Sequence, residues 1–423
     1  AREWGAAVAA YTVGLARLDP QDCNQDQLHC ALLCNRSAAF LQLRDWAAAA
    51  QDAQLALEVT PHSPRARCRL GVACLGQRRC EEAYVAFARA LLKDPESAAA
   101  RQGRNACLVQ LAHGHSLRAE ARRSRRLADV GRPGASTRVF AISDLHLDHS
   151  KKQWTWLHQI DRTKFQEDVL IVAGNLAVKM ASIVGGLSVL KGKFRRVFYT
   201  LGADELRATA SHEQPDSIVK LQEVFNACDG LGIDVCPAAI SDSLYIVPLL
   251  SWYSAEFDWT DPRPDPHIGI DQLCRWPMDA EQVWKYFLMV NEQTAQAELR
   301  EGAPCDTVIT FSHFLPRRDL PFHTRTHLGL QLAKCQGCEG IEDQLRRLRS
   351  QLHVYGRSHI PHAEVHDGVM YVQQPLGYPA ERVLLHRDEE RALMMQVYDG
   401  SSVCMTPWDS VTDSASEQQA CTW

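Results

Sequence analysis

No uninterrupted apolar run in this 423-residue chain approaches the roughly 20 residues that cross a bilayer. The longest candidates, around Val169 to Ala177 and Met180 to Leu190, are broken by Gly, Asn and Ser, so no membrane span is expected. An excess of positive charge is lacking too. Lys and Arg number 46 against 51 Asp and Glu, a net charge of −5 with neutral histidine. That excludes a globally cationic surface for nucleic acid. A disulfide framework is the third absence. The 15 cysteines are scattered, and Cys30, Cys34, Cys68, Cys74 and Cys107 fall inside apolar periodic stretches, where a free thiol behaves as a small hydrophobe. This points to an intracellular reducing compartment, the cytoplasm first, with an organellar address left open. One Cys-x-x-Cys pair exists, Cys335 and Cys338, and a zinc knuckle needs a second. It reads as a loop with two thiols. The chain opens at Ala1 inside a helical pattern, which predicts a fragment or a processed product.

What is present is ordinary globular chemistry, 46% apolar and 23% charged, with length for two or three domains. Prolines recur at Pro20, Pro61 and Pro95, and the second gap is 34 residues, the period of a tetratricopeptide helix pair. Counting back from Pro95 gives Leu70, Gly71, Ala83, Phe87 and Ala90. Counting back from Pro61 gives Ser37, Phe40, Trp46, Ala49, Ala53 and Ala56. Small residues at such positions let two antiparallel helices approach closely. The first gap is 41 residues, which makes the Gln21 to Gln27 stretch a lengthened turn. Trp4 to Leu18 reads as the second helix of a repeat whose first helix is missing.

These repeats resemble the chaperone-binding subset of the tetratricopeptide family, which clamps an acidic C-terminal peptide with Asn and Lys or Arg on its groove-lining helices. The resemblance implies that role for Asn35, Arg65 and Arg69, with Arg65 in place of the usual Lys. Two guanidinium groups four residues apart share a helical face and can hold a carboxylate. The competing reading is a solvated basic face. Arg118 to Arg138 holds seven arginines with Gly131, Pro133 and Gly134 and reads as a helix end running into a linker. It carries no aromatic interleaving that would signal nucleic acid.

From Arg138 the period changes. Short β-rich runs end at Ser143, Gly174 and Gly202, separated by amphipathic stretches, and fit strand–helix–strand units. Two later runs, Thr307 to Phe311 and Leu352 to Tyr355, end at Ser312-His313 and Gly356-Arg357-Ser358-His359. In such sheets the chemistry lies just beyond the carboxyl ends of the strands. The polar residues there are Asp144, His146, Asn175, Asp204, Glu205, His313, Arg357 and His359.

The order of these blocks resembles the calcineurin-like metallophosphoesterases from about Arg138 to Leu385. Ser143-Asp-Leu-His-Leu147, Phe311-Ser-His-Phe-Leu-Pro-Arg317 and Tyr371-Val-Gln-Gln-Pro-Leu-Gly-Tyr-Pro379 look closest to a branch found in plants and algae. The resemblance assigns a first ion to Asp144, His146, Asn175 and His359. It assigns a second to Asn175, Ala203, His313 and Arg357, and puts Asp204 where the family has a general-acid histidine. Asn175 stands in the bridging-carboxylate position, and one neutral amide oxygen cannot hold two divalent ions close together. Ala203 supplies no donor, and Arg357 is permanently cationic. The second ion is expected to be lost, leaving either no metal or one divalent transition metal (zinc, iron or manganese) at the first site. Formal charge leaves open whether Arg357 replaces the missing cation or pairs with Asp144 or Asp204. Trp252 and Tyr253 read as core.

The expected fold is therefore an α-helical tetratricopeptide solenoid over residues 1–117 and an Arg-rich linker over 118–137. An α/β metallophosphoesterase domain of layered β-sheets flanked by helices follows over 138–386, then a C-terminal strand and polar tail over 387–423. The expected function is an interaction subunit of a larger assembly. Its repeats dock a protein partner, possible ligands including an acidic chaperone C-terminus, and its phosphatase fold is a pseudoenzyme with His313, Arg357 and Asp204 in a degenerate site. The alternative is a one-metal phosphoesterase acting on a phosphomonoester or phosphodiester.

Overall fold

A computed structural model describes residues 2–19, 22–126, 137–208, 214–258, 273–301, 305–323, 333–384 and 393–409. Residues 127–136 of the linker and the polar tail beyond residue 409 lie outside the described residues. The chain divides into two compact units, Ala1–Gly114 with Ala208–Val219, and His115–Arg207 with Lys220–Trp423.

The first unit is built from helices α1 (Arg2–Leu15), α2 (Asp26–Gln42), α3 (Trp46–Val59), α4 (Pro64–Gly76), α5 (Cys80–Leu91) and the start of α6 (Ala98–Arg126). Local sequence starts them. The Asp45 carboxylate accepts the Ala48 N–H at 3.0 Å ahead of α3. Ser63 caps the Ala66 N–H at 3.3 Å, and Pro64 takes the first turn of α4. Each such cap stabilises its helix by about 1 kcal/mol. The faces between helices are lined by Ala49, Ala53, Ala56, Ala83 and Ala90, all buried. A Cβ on Gly71 would stand 2.8 Å from the Phe87 ring, and one on Gly76 would collide with Trp46. The aromatic rings fill space that the small residues leave. The returning segment Ala208–Val219 supplies Asp216, whose buried carboxylate accepts the Tyr84 hydroxyl at 2.8 Å.

The second unit contains two sheets. The first runs β11–β10–β1–β2–β3, with β1 (Val139–Ile142), β2 (Val169–Ala173) and β3 (Arg196–Thr200) parallel. β10 (Leu393–Tyr398) pairs antiparallel with β1, and β11 (Val403–Asp409) with β10. The second runs β4–β5–β6–β7–β9–β8. Here β5 (Leu244–Pro248), β6 (Thr307–Phe311), β7 (Leu352–Val354) and β9 (Val369–Gln373) are parallel, while β4 (Ala238–Ala239) and β8 (His362–His366) are antiparallel edges.

Val139, Ala141, Val169, Ile171 and Phe198 of one sheet pack with Ile246, Ile309, Phe311, Leu352, Val354 and Val372 of the other. Strands β1 and β2 are buried along their whole length, which is why they read as continuous apolar runs and not as alternating ones. The C-terminal run that the sequence suggests as a lone strand is β10. It is held in the first sheet by buried Met394, Met395 and Val397. Among the described residues, no helix is long and apolar enough to cross a membrane.

Candidate functional site

The carboxyl ends of β1, β2, β3, β6, β7 and β9 face one cleft-forming set of loops. Asp144 and His146 follow β1, Asn175 follows β2, and Asp204 and Glu205 follow β3. His313 follows β6, Arg357 and His359 follow β7, and Tyr378 and Glu381 follow β9. Nine described non-glycine residues have positive φ, and five of them are Asp144, His146, Asn175, Arg357 and His359. Backbone held in that region costs energy and persists where surrounding contacts over-determine it.

Those contacts are specific. Asp144 is fully buried. Its Oδ2 accepts the Ser143 hydroxyl at 2.7 Å and the Arg357 backbone N–H at 3.1 Å. Its Oδ1 accepts the Asn175 side-chain amide at 3.1 Å and faces His359 Nε2 at 3.4 Å and His146 Nε2 at 3.9 Å. Burial pushes the Asp144 carboxyl up, but the imidazoles of His359, His313 and His146 outweigh it and hold the group well below the usual carboxylate range.

Each of the two facing histidines has a carboxylate behind it. His146 Nδ1 lies 2.8 Å from Asp204 Oδ2, and His359 Nδ1 lies 2.9 Å from Glu381 Oε2. A carboxylate there fixes the proton on Nδ1 and turns the Nε2 lone pair forward. The two Nε2 atoms then confront each other at 3.0 Å, which requires positive charge between them, either a proton or a metal ion. The proton alternative is expressed in His359. Burial lowers its affinity, yet Asp144 and Glu381 raise it to about 10. The metal alternative fits the distances. Ligands around tetrahedral zinc, at about 2.0–2.1 Å from the metal, stand about 3.3 Å apart. The observed edges are 3.0, 3.4 and 3.9 Å. Asp144, His146 and His359 thus fit one divalent ion.

Glu205, also fully buried, ties the loops together by accepting the backbone N–H groups of Asn175 at 3.2 Å, Leu176 at 2.5 Å and Gly202 at 2.7 Å. Burial and the neighbouring Asp204 push its carboxyl up. The Tyr378 ring stacks on His146 at 4.4 Å and leans on His149 and His359. Glu381 secures the Tyr378 backbone N–H at 2.7 Å.

His313 is fully buried. Its Nδ1–H donates to the Ala173 carbonyl at 2.9 Å, and its Nε2 is buried with no hydrogen-bond partner among the described residues. Burial lowers its pKa to about 4. Three glycines make room for the ring. A Cβ on Gly174 would stand 2.6 Å from Nδ1, one on Gly356 2.8 Å from Nδ1, and one on Gly202 2.9 Å from Cδ2.

Comparison with known proteins bears on both halves. No family model matches the chain. Over 272 residues, 59% of this chain and 80% of the relative, it is 25% identical to the acyl-carrier-protein phosphodiesterase PptH of Mycobacterium tuberculosis (strain ATCC 25618 / H37Rv). Over 95 residues it is 36% identical to tetratricopeptide repeat protein 28 of Homo sapiens, which covers 22% of this chain and 4% of that protein. Over 131 residues it is 32% identical to small glutamine-rich tetratricopeptide repeat-containing protein 2 of Mycosarcoma maydis, covering 31% of this chain and 35% of that protein. The chain carries tetratricopeptide repeats followed by a phosphoesterase-like domain.

In the phosphoesterase-like domain, the residues at the second-ion positions do not converge as the first set does. Ala203 is buried and has no donor. The Arg357 side chain turns away from the acids: its Nε donates to the Cys335 carbonyl at 3.1 Å, and its guanidinium lies over the Phe314 ring at 5.3 Å. The described ion pairs of Asp204 are with His146 and Arg207, so neither charge pairing considered for Arg357 is present. Cys335 and Cys338 are both buried, in the stretch that carries this carbonyl. Trp252 is buried and packs edge-on against Trp276, near Phe314.

Tyr378 lies in the Tyr371 to Pro379 block, which reads as a resemblance and not as part of the site, and Glu381 follows it with no spacing signature. In the repeats, Arg65 Nη2 donates to Asn35 Oδ1 at 2.7 Å, and half-buried Arg69 lies on the same helix α4. Tetratricopeptide relatives support a protein–protein interaction role for this unit.

Proposed function

We propose that this chain is a partner-docking protein whose phosphoesterase-like domain retains one divalent-metal site and has lost paired-ion hydrolysis. One observation carries the reading: His313 Nε2 is buried and has no partner among the described residues, while the positions that would share an ion with it hold an alanine, an amide and a guanidinium. A single imidazole does not hold a divalent ion in competition with water. His313, Arg357 and Asp204 are then remnants. His313 packs in its glycine cradle, Arg357 braces the Cys335 loop, and Asp204 orients His146.

The docking half of the proposal places an acidic C-terminal peptide, of the kind chaperones carry, on Asn35, Arg65 and Arg69. The Asn35–Arg65 hydrogen bond supports it by holding one guanidinium in place, which lowers the entropy lost on binding.

The convergence of Asp144, His146 and His359 favours a second reading, a one-metal phosphodiesterase on a phosphate ester such as the carrier-protein linkage named for PptH. A bound ion would supply Lewis-acid polarisation of a phosphoryl oxygen. Around it, Asp204 and Glu381 would keep both imidazole lone pairs aimed forward, and the Tyr378 ring would shield them from water.

Metal analysis with an assay on bis(p-nitrophenyl) phosphate decides between the two. The docking reading expects about one equivalent of zinc, iron or manganese at Asp144, His146 and His359, the part of the total that is lost in His146→Ala, and no turnover. Turnover that vanishes in His146→Ala would establish the enzyme and sink the pseudoenzyme reading.

A further inference from the structure

Outside the cleft, the edge strand β8 reads His362-Ala-Glu364-Val-His366. Residues two apart on a strand share a face, so the two histidines and the glutamate stand in one row. Ala363, of the opposite parity, packs against the core.

The row is drawn together at its tips. His362 Nε2 lies 3.2 Å and His366 Nε2 3.5 Å from the same oxygen, Glu364 Oε2. One ligand atom from each of the three residues fits within a 4.8 Å span, and the imidazole centroids are 6.4 Å apart. The far sides of both rings are also occupied. His362 Nδ1 meets the Tyr355 hydroxyl at 3.0 Å, and His366 Nδ1 faces Asp319 Oδ2 at 3.6 Å. Asp319 is itself held by Arg317 at 2.6 and 2.9 Å. His366 Nε2 is shielded from water yet has no well-formed hydrogen bond.

We propose that His362, Glu364 and His366 form a second metal site on the protein surface, taking a zinc-class divalent transition metal. Two imidazole nitrogens and one carboxylate oxygen are a sufficient protein ligand set for zinc, with the remaining position open to water. The observed edges of 3.2 and 3.5 Å bracket the separation of about 3.3 Å between neighbouring ligands of tetrahedral zinc. Tyr355 and Asp319 supply the groups behind the rings that orient metal-binding histidines. Bound metal would join the two ends of a five-residue strand that occupies the end of its sheet, stiffening an edge otherwise held from one side only.

The site differs from the cleft in every ligand, so counting metal separates them. The full chain, stripped with chelator and dialysed against buffered zinc, is compared with His362→Ala/His366→Ala and with His146→Ala/His359→Ala. The surface double variant should bind one zinc fewer than the wild type. The cleft double variant, if it folds, should keep one zinc that is lost when the surface pair is also removed. An unchanged zinc count in the surface variant overturns the proposal, whatever the cleft binds. Because His362 and His366 lie on an edge strand, circular dichroism of that variant should match the wild type. A matched spectrum with the full zinc complement also overturns it.

Discussion

His359 illustrates how much of the candidate site depends on groups behind the ligands. Its Nδ1 is gripped by both Glu381 oxygens, at 2.9 and 3.1 Å. Replacing Glu381 by Gln leaves an oxygen to accept that hydrogen but removes the charge that makes the ring a strong donor. Zinc affinity of the cleft should fall about 10- to 100-fold, measured by competition with a chromophoric chelator in the His362→Ala/His366→Ala background. An affinity unchanged by the substitution would remove Glu381 from the metal's support. A second residue-scale expectation concerns Gly174, whose φ is +78°. In Gly174→Ala the new methyl would stand 2.6 Å from His313 Nδ1 and 2.8 Å from the Gly202 backbone nitrogen. Backbone strain and overpacking together should cost about 2 kcal/mol or more, read as a lowered melting temperature. At this scale the sequence was legible wherever a polar residue fell within four positions of the end of an apolar strand, as for Asp144, His146, Asn175 and His313. It was illegible where direction mattered. Arg357 could have faced Asp144 or Asp204, and what turns it is the Phe314 ring and the Cys335 carbonyl, contributed by segments remote in sequence from one another or from it.

Elements follow the same division. Helices α3 and α5 were readable because Ala49 and Ala56 precede Pro61 by the same 12 and 5 residues by which Ala83 and Ala90 precede Pro95, a local signal. Strand β10 was visible as an apolar run, but its pairing with β1 is a long-range choice that no local pattern encodes. Strand β7 carries a feature of the same kind. His353 reads as one histidine in a strand, yet it is fully buried between the Thr310 hydroxyl at 2.8 Å and the Ser312 hydroxyl at 3.0 Å. Burial lowers its pKa to about 3, whereas an unfolded histidine titrates near 6.5. Between those values the unfolded chain binds a proton that the folded chain refuses. Stability contributed by the neutral ring is therefore complete above about pH 6.5 and declines as pH falls toward 3, by about 1.4 kcal/mol per pH unit. Urea unfolding at pH 7 and pH 5 should show a smaller loss in His353→Gln than in the wild type, by about 2 kcal/mol. Equal losses would mean that the buried imidazole is not what acid attacks.

At the scale of the whole molecule, one chain joins tetratricopeptide repeats to a phosphoesterase-like domain, and the functions proposed for the two use different physics. The proposed docking of an acidic peptide on Arg65 and Arg69 would be electrostatic and made against a net charge of −5, so it would depend on local placement of cations and weaken as salt screens them. Metal at Asp144, His146 and His359 would be a matter of ligand geometry and would be indifferent to that screening. If the two are separate functions, chelator should leave peptide capture intact, and charge reversal in the groove should leave the zinc count intact. The decisive variant is Arg65→Glu with Arg69→Glu, assayed by fluorescence anisotropy with a labelled acidic C-terminal pentapeptide bearing a free carboxylate. Losing two charge-assisted hydrogen-bond donors, each contributing about 1.5–3 kcal/mol, should weaken binding by at least about a hundredfold. The same peptide with an amidated C-terminus should bind the wild type weakly as well, because the clamp recognises the terminal carboxylate. Equal affinity of wild type and variant would return Arg65 and Arg69 to an ordinary solvated face, with the Asn35 contact serving only to join α2 and α4.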